Sequence, residues 1–261
     1  MKKLFLFNLF IFLFSGMASA QTADKIIDNY LKNIGGKDKL SQIKSLHIKA
    51  TTNAQGMEIP VDIYMTADGK QYIGFELQGQ KMVQMAFDGT TAWHTNFMNM
   101  KNEKHNNEIA ENLKRNSAGE FPNPFLNYKE KGFKVEFIGK DEAEGTEAYK
   151  IKLTEHPVLK DGKEVSKEMY FYFDTENFIP IMAEEEIKDG QYKGAKVQQV
   201  FSDYQEAGGI YFPFSTMTKF NGMTGQEIKI KSIEINPEID ENIFIFKESA
   251  SENTAKPEEK K

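Results

Sequence analysis

The chain contains no cysteine. Disulfides, thiolate nucleophiles and cysteine-ligated metal centres are therefore excluded, and burial with hydrogen bonding has to hold the fold. Arginine is almost missing, with Arg115 as its only representative. Bidentate recognition of phosphates and base edges favours arginine, and the net charge of −6 is of the wrong sign for a nucleic-acid binder. No basic stripe is present to hold anionic lipid. Histidine is scarce too: His47, His94, His105 and His156 are never three or four residues apart, so no helical pair of metal ligands exists. Glycine patterns for a nucleophile elbow, a P-loop or a dinucleotide fold do not occur. Nothing calls for a metal or a cofactor.

Long apolar runs are lacking except at the start. Lys2 and Lys3 precede the eleven residues Leu4 to Phe14, which only Asn8 interrupts, and Ala18-Ser19-Ala20 follows. That is the layout of a secretory signal, and it falls well short of the ~20 residues that span a bilayer. Cleavage after Ala20 is expected, with a mature protein starting at Gln21 in the periplasm. Gln21 stands where a lipid-modified protein would need its cysteine, so no lipid anchor is expected.

What is present is helix followed by alternation. Thr22 can cap a helix over 22–34 whose inner face is Ile26, Ile27, Tyr30, Leu31 and Ile34, and Gly35-Gly36 ends it. From Leu46 the apolar period changes to two, and Asp68-Gly69, Gly79-Gln80, Asp88-Gly89, Asp161-Gly162, Gly208-Gly209 and Asn221-Gly222 punctuate the runs. Short turns between such runs demand antiparallel pairing. About ten to twelve strands in a curled sheet or barrel follow. A polar helix is expected over 103–116, and the 119–125 segment, with two prolines and two phenylalanines, reads as a loop that packs down. One domain over 21–248 is expected, then a disordered Lys/Glu tail over 249–261.

Acidic residues are plentiful, but Asp174, Glu176 and Glu184-Glu185-Glu186 read as the solvated face of a sheet, not as a catalytic carboxylate pair. Catalysis is not expected. Methionines and aromatics on the early strands are more informative, because flexible, polarisable side chains suit a surface that accepts acyl chains. Met65, Tyr72, Phe75, Met85, Trp93, Phe97 and Met98 are the candidate lining of an apolar cavity, with Ile109 and Leu113 of the 103–116 helix as its lid. For each residue singly, ordinary core packing is the better explanation, and only as a group do they point to a cavity.

Several segments then meet a known pattern. Phe201-Ser202-Asp203-Tyr204 with Gly208-Gly209-Ile210-Tyr211-Phe212-Pro213-Phe214 resembles a "DY…GG…(F/L)P" segment of the periplasmic outer-membrane lipoprotein-sorting proteins, the lipoprotein carrier-like family. Asp88-Gly89-Thr90-Thr91-Ala92-Trp93, Tyr172-Phe173-Asp174 with Ile179-Pro180, and Ile235-Asn236-Pro237 with Ile239-Asp240 and Phe244 resemble its other motifs in order. The resemblance covers about residues 22 to 247. It implies a mainly β fold with flanking helices: an incomplete antiparallel barrel, helices across its open side, and an apolar cavity for lipoprotein acyl chains or another lipid. Implied partners are lipid or an acylated lipoprotein, with envelope membrane proteins as further candidates and a monomeric state. Arg115 does not fall where the family's carrier uses an arginine to govern opening. An envelope binding protein for another hydrophobic molecule, and a non-catalytic interaction scaffold, are the alternatives.

Overall fold

In the computed structural model, residues 22–54, 56–77, 79–188 and 190–248 are described. The expected signal segment and charged tail lie outside them. Helix α1 (Ala23–Asn33) starts where Thr22 Oγ1 accepts the Lys25 N–H at 3.2 Å. It buries Ile26, Ile27, Tyr30 and Leu31. Gly35 and Gly36 then take φ values of 130° and 94°, which only glycine adopts readily. The short helix α2 (Lys37–Ser41) leads into the strands.

The first half is a meander of β1 (Ser45–Ala54), β2 (Met57–Thr66), β3 (Gln71–Leu77), β4 (Gln80–Phe87), β5 (Ala92–Asn96) and β6 (Lys101–Lys104). Helix α3 (Asn107–Glu120) and an irregular segment over 121–133 carry the chain across to the second half. There follow β7 (Lys134–Ala143), β8 (Thr146–Thr154), a small separate hairpin of β9 (Val158–Lys160) and β10 (Lys163–Val165), then β11 (Glu168–Asp174), β12 (Pro180–Glu186), β13 (Lys196–Ala207), β14 (Ile210–Phe220) and β15 (Met223–Ile235).

Thirteen strands form one antiparallel sheet in the order β6-β5-β4-β3-β2-β1-β15-β14-β13-β12-β11-β8-β7. It curls without closing into a barrel. First and last strands meet at its middle, with Leu46 opposite Ile235 on one side and Met65 on the other. The alternation that puts Leu46, Ile48 and Met65 on the inner face gathers them under α1, with Ile151, Leu153, Phe171, Phe173 and Ile210. Phe121, Phe125, Leu126, Tyr128 and Phe133 of the crossing segment complete that core, so the loop packs down as its phenylalanines imply. Burying each of Ile26, Ile27 and Leu31 contributes about 1.5–3 kcal/mol, and this apolar stripe holds α1 on the sheet.

The outer face is covered locally. Val83, Ala86 and Trp93 form a cluster with Tyr72 under the C-terminal segment, where Trp93 Nε1 donates to the Phe244 carbonyl at 2.8 Å. At the other end Ala143, Ala148, Tyr172 and Met182 pack together.

Three expectations need correction. Helix α3 runs on past residue 116 to Glu120, so Gly119 and Glu120, expected in the irregular 119–125 segment, are helical and the irregular stretch begins at Phe121. Residues 103 and 104 are strand, because Lys101–Lys104 pairs with Asn96–Trp93, and the helix begins later, where Asn106 Oδ1 accepts the Ile109 N–H at 3.0 Å. The strand count exceeds the expected ten to twelve because β6 and the β9–β10 hairpin carry no apolar alternation.

Candidate functional site

The inner face is not completely filled. A chamber of about 410 Å³ lies between α1, the 122–125 turn and the inner face of the sheet. Tyr30, Ile34 and Leu40 face it from the helices, Pro122, Asn123, Pro124 and Phe125 from the crossing segment, and Met65 from β2. Phe171, Pro180, Gln199, Phe201, Tyr204, Ile210, Phe212 and Pro213 come from β11 to β14. An adjoining vestibule of about 480 Å³ shares Ile34, Tyr204 and Tyr211 with it and adds Asn33, Asn177 and Ile179. Asn33, Asn177 and Tyr211 are exposed, so the vestibule opens to the surface. No lysine, arginine, aspartate or glutamate lines either space among the described residues.

Local chemistry explains why these residues converge. Strand alternation turns Phe201 and Phe212 toward the helices, and Gly208-Gly209 allows β14 to return at once. A Cβ on Gly35 would lie 2.6 Å from the Gly209 carbonyl oxygen, so glycine permits the end of α1 to touch the β13–β14 turn. The walls are tied together. Asn123 Nδ2 donates to the Tyr30 hydroxyl at 2.7 Å, the Tyr211 N–H to the Ile34 carbonyl at 2.9 Å, and the Tyr204 hydroxyl to the Pro180 carbonyl at 2.7 Å. Burial pushes the Tyr30 hydroxyl up to about 12 against the opposing Asn123 bond, and burial raises Tyr204 as well. Both phenols therefore stay neutral.

The structure does not bring the nine sequence-predicted lining residues together. Met65 alone faces the chamber. Tyr72 and Phe75 border a smaller, polar groove of about 180 Å³ with Asp62, Tyr64 and Glu76. Trp93 is buried on the outer face, and Met85 is half-buried on β4. Phe97 and Met98 occupy the β5–β6 hairpin turn; Met98 is 96% exposed and Phe97 leans on Phe75 with ring centroids 5.8 Å apart. The reason is that Lys101–Lys104 folds back on β5, which turns this stretch into a hairpin tip and not a cavity mouth. Ile109 and Leu113 are half-buried on α3, which does not line the chamber. That helix is held by the β9–β10 hairpin: Asn112 exchanges hydrogen bonds with the Leu159 backbone, and Arg115 pairs with Glu164 at 2.8 Å. About half of the residues that do line the chamber lie in two segments visible in the sequence, Pro122 to Phe125 of the Phe-Pro-Asn-Pro-Phe turn and Ile210 to Pro213 of the Gly-Gly-Ile-Tyr-Phe-Pro-Phe segment.

The polar candidates are occupied structurally. Glu184 pairs with Lys196 at 2.8 Å and accepts from Gln198, while Asp174 accepts the Glu176 and Asn177 N–H groups and shapes a turn. His47 bonds Asp62 at 2.8 Å and stacks on Tyr64. Among the described residues no group of three His, Asp or Glu side chains is placed to hold a metal, and no helix is long and apolar enough to cross a membrane.

No protein-family model and no curated protein matches the chain. Solved structures do share its fold. A LolA superfamily protein from Nitrosomonas europaea superposes with a TM-score of 0.53 at 11% identity, covering 87% of this chain and 99% of its own. A putative outer membrane lipoprotein-sorting protein domain from Vibrio parahaemolyticus gives 0.52 at 10% identity, covering 84% and 94%. A DUF1329 family protein from Desulfovibrio piger gives 0.52 at 12% identity, covering 85% and 96%. The open, curled antiparallel sheet with helices on its inner face is thus the LolA-like fold.

Proposed function

We propose that this protein is a non-catalytic lipid-binding protein of the cell envelope, exported by the segment ending at Ala20, which holds an acyl or similar apolar chain in the chamber beneath α1. The observation that carries this reading is an apolar space of about 410 Å³ with no charged lining and a surface vestibule. Such a space binds by burial alone: each methylene taken from water is worth about 0.8 kcal/mol, so no catalytic or ionic group is needed. The fold shared with a LolA superfamily protein and a lipoprotein-sorting domain supports the same reading. The reading has two forms: carriage of acylated lipoproteins for outer-membrane sorting, and carriage of a free lipid.

Native mass spectrometry of protein purified without detergent tests the proposal. Lipid-sized added mass that organic extraction removes is the expected result. Apo mass only, together with no binding of fluorescent acyl probes, would sink it. A second reading, an interaction module, draws on Phe97 and Met98 standing exposed at a hairpin tip. It predicts that Met98→Asp abolishes capture of a partner while lipid binding is unchanged.

A further inference from the structure

Resting on that reading, we infer that the ligand is a single-chain amphiphile with an uncharged head, of the monoacylglycerol or long-chain alcohol class, and not a multi-chain anchor. Volume is the first argument. A methylene occupies about the ~30 Å³ share of a liquid water, so the 410 Å³ chamber accepts one chain of about fourteen carbons. Three such chains would need about 1,200 Å³, more than the chamber and the adjoining vestibule of about 480 Å³ hold together.

The walls resist the necessary spreading. Tyr30 is bonded to Asn123, Ile34 to Tyr211 and Tyr204 to Pro180, so the helix, the crossing segment and the strands are cross-tied around the space. Gly35 sits against the Gly209 carbonyl with no room for a single carbon, so that end is already closed to its limit. Admitting further chains would break several of these bonds and leave their partly buried polar groups orphaned against apolar chains, which is costly.

Charge is the second argument. An ionised carboxylate or phosphate drawn into the chamber or vestibule would find no lysine or arginine there. Desolvating an unpaired charge is far more costly than desolvating a hydroxyl or ester. The vestibule instead presents the phenol of Tyr211 and the side-chain amides of Asn33 and Asn177, whose NH2 groups donate to the Asn177 carbonyl and to Asp174 and keep one further donor each, a set that suits hydroxyl and ester oxygens. Lys39, at the edge, already donates to the Gly209 carbonyl at 3.3 Å.

Calorimetric titration of the mature chain, stripped of lipid, with monoacylglycerols of about eight to eighteen carbons tests both parts. One ligand per protein is expected, with affinity rising about fourfold per methylene and levelling off near fourteen carbons. Myristate at pH 8 is expected to bind at least about tenfold more weakly than monomyristin, and a triacylated lipopeptide should not displace a bound single-chain probe. An affinity that climbs through eighteen carbons, or a lipopeptide that competes as well as monomyristin, overturns the single-chain inference while leaving the lipid-binding function standing. Equal affinity for ionised myristate overturns the uncharged head. Failure of every ligand, lipopeptide included, overturns the function itself.

Discussion

Replacing Met65 by aspartate places a carboxylate in the wall of a chamber that has no charged lining residue. Met65 is half-buried at the margin of the inner core. In the free protein the new carboxylate reaches water through the vestibule, so the fold loses only part of a methionine's packing, about 1 kcal/mol. Once a chain is seated, that water is displaced and the carboxylate is left unpaired, at about 1–3 kcal/mol more. The packing loss is common to the free and bound states, so the desolvation of about 1–3 kcal/mol sets the change in affinity, about 5- to 150-fold in Kd. Displacement of a fluorescent acyl probe measures the affinity, and scanning calorimetry of the same samples measures the fold. The sign with pH is fixed: seating the chain raises the carboxyl's pKa, so the lost affinity returns in part as pH falls through it. Met98→Asp is the control, since a side chain 96% exposed should change binding and stability by no more than about 0.5 kcal/mol. A folded Met65→Asp protein with parental affinity, or loss of binding in Met98→Asp, would refute the placement of the site.

Three further outcomes are expected. Trp93, the only tryptophan, reports on the C-terminal clasp and not on the ligand, because its indole bonds the Phe244 carbonyl and meets Phe246 edge-on at 6.1 Å; truncation after Ile239 should red-shift its emission, while a seated lipid should not. The Lys131 amine donates to the Asn123 carbonyl at 3.0 Å, and burial, opposed by the charge of Glu155, pushes its pKa down to about 8. The folded protein therefore binds that proton less tightly than the unfolded chain, so Lys131→Met should gain about 1 kcal/mol at pH 7, discounted for partial exposure, and the gain should shrink as pH rises from 8 toward 10.5. Lys167 joins Glu120 to Glu155, whose side chain is 5% exposed; Lys167→Met should cost about 3 kcal/mol by leaving Glu155 buried and unpaired, and adding Glu155→Gln should recover most of it in denaturant melts.

Much of this architecture is legible locally, and the limits are physical. The stripe Ile26, Ile27, Tyr30, Leu31 defines α1, and Asp-Gly and Asn-Gly pairs mark the hairpins, because both signals lie within a few residues. Lys101–Lys104 gives no such signal: an edge strand of polar residues satisfies pairing without alternation. The candidate site failed for a different reason. Alternation places Met65 and Tyr72 on opposite faces of the sheet, yet nothing local says which face α1 covers and which the C-terminal segment covers. The methionine-rich half drew attention, while the chamber walls come mainly from Phe171, Phe201, Ile210 and Phe212 on the other half.

The seam at the middle of the sheet governs the order in which the protein can be completed. Each half is a run of neighbouring hairpins and can zip as it emerges, whereas β1 must wait for β15, which closes on it through Leu46 opposite Ile235 and through Asn236 Oδ1 accepting the Lys44 and Ser45 N–H groups. A chain delivered N-terminus first therefore holds one open strand edge from the moment β1 pairs with β2 until nearly the last residues arrive. Closing a loop of that length is slow, and an unpaired edge invites pairing with another chain. Any shortened chain that ends before β15 should accumulate as a half-sheet seeking a partner, so a strand that contributes no lining residue decides whether a chamber is ever formed.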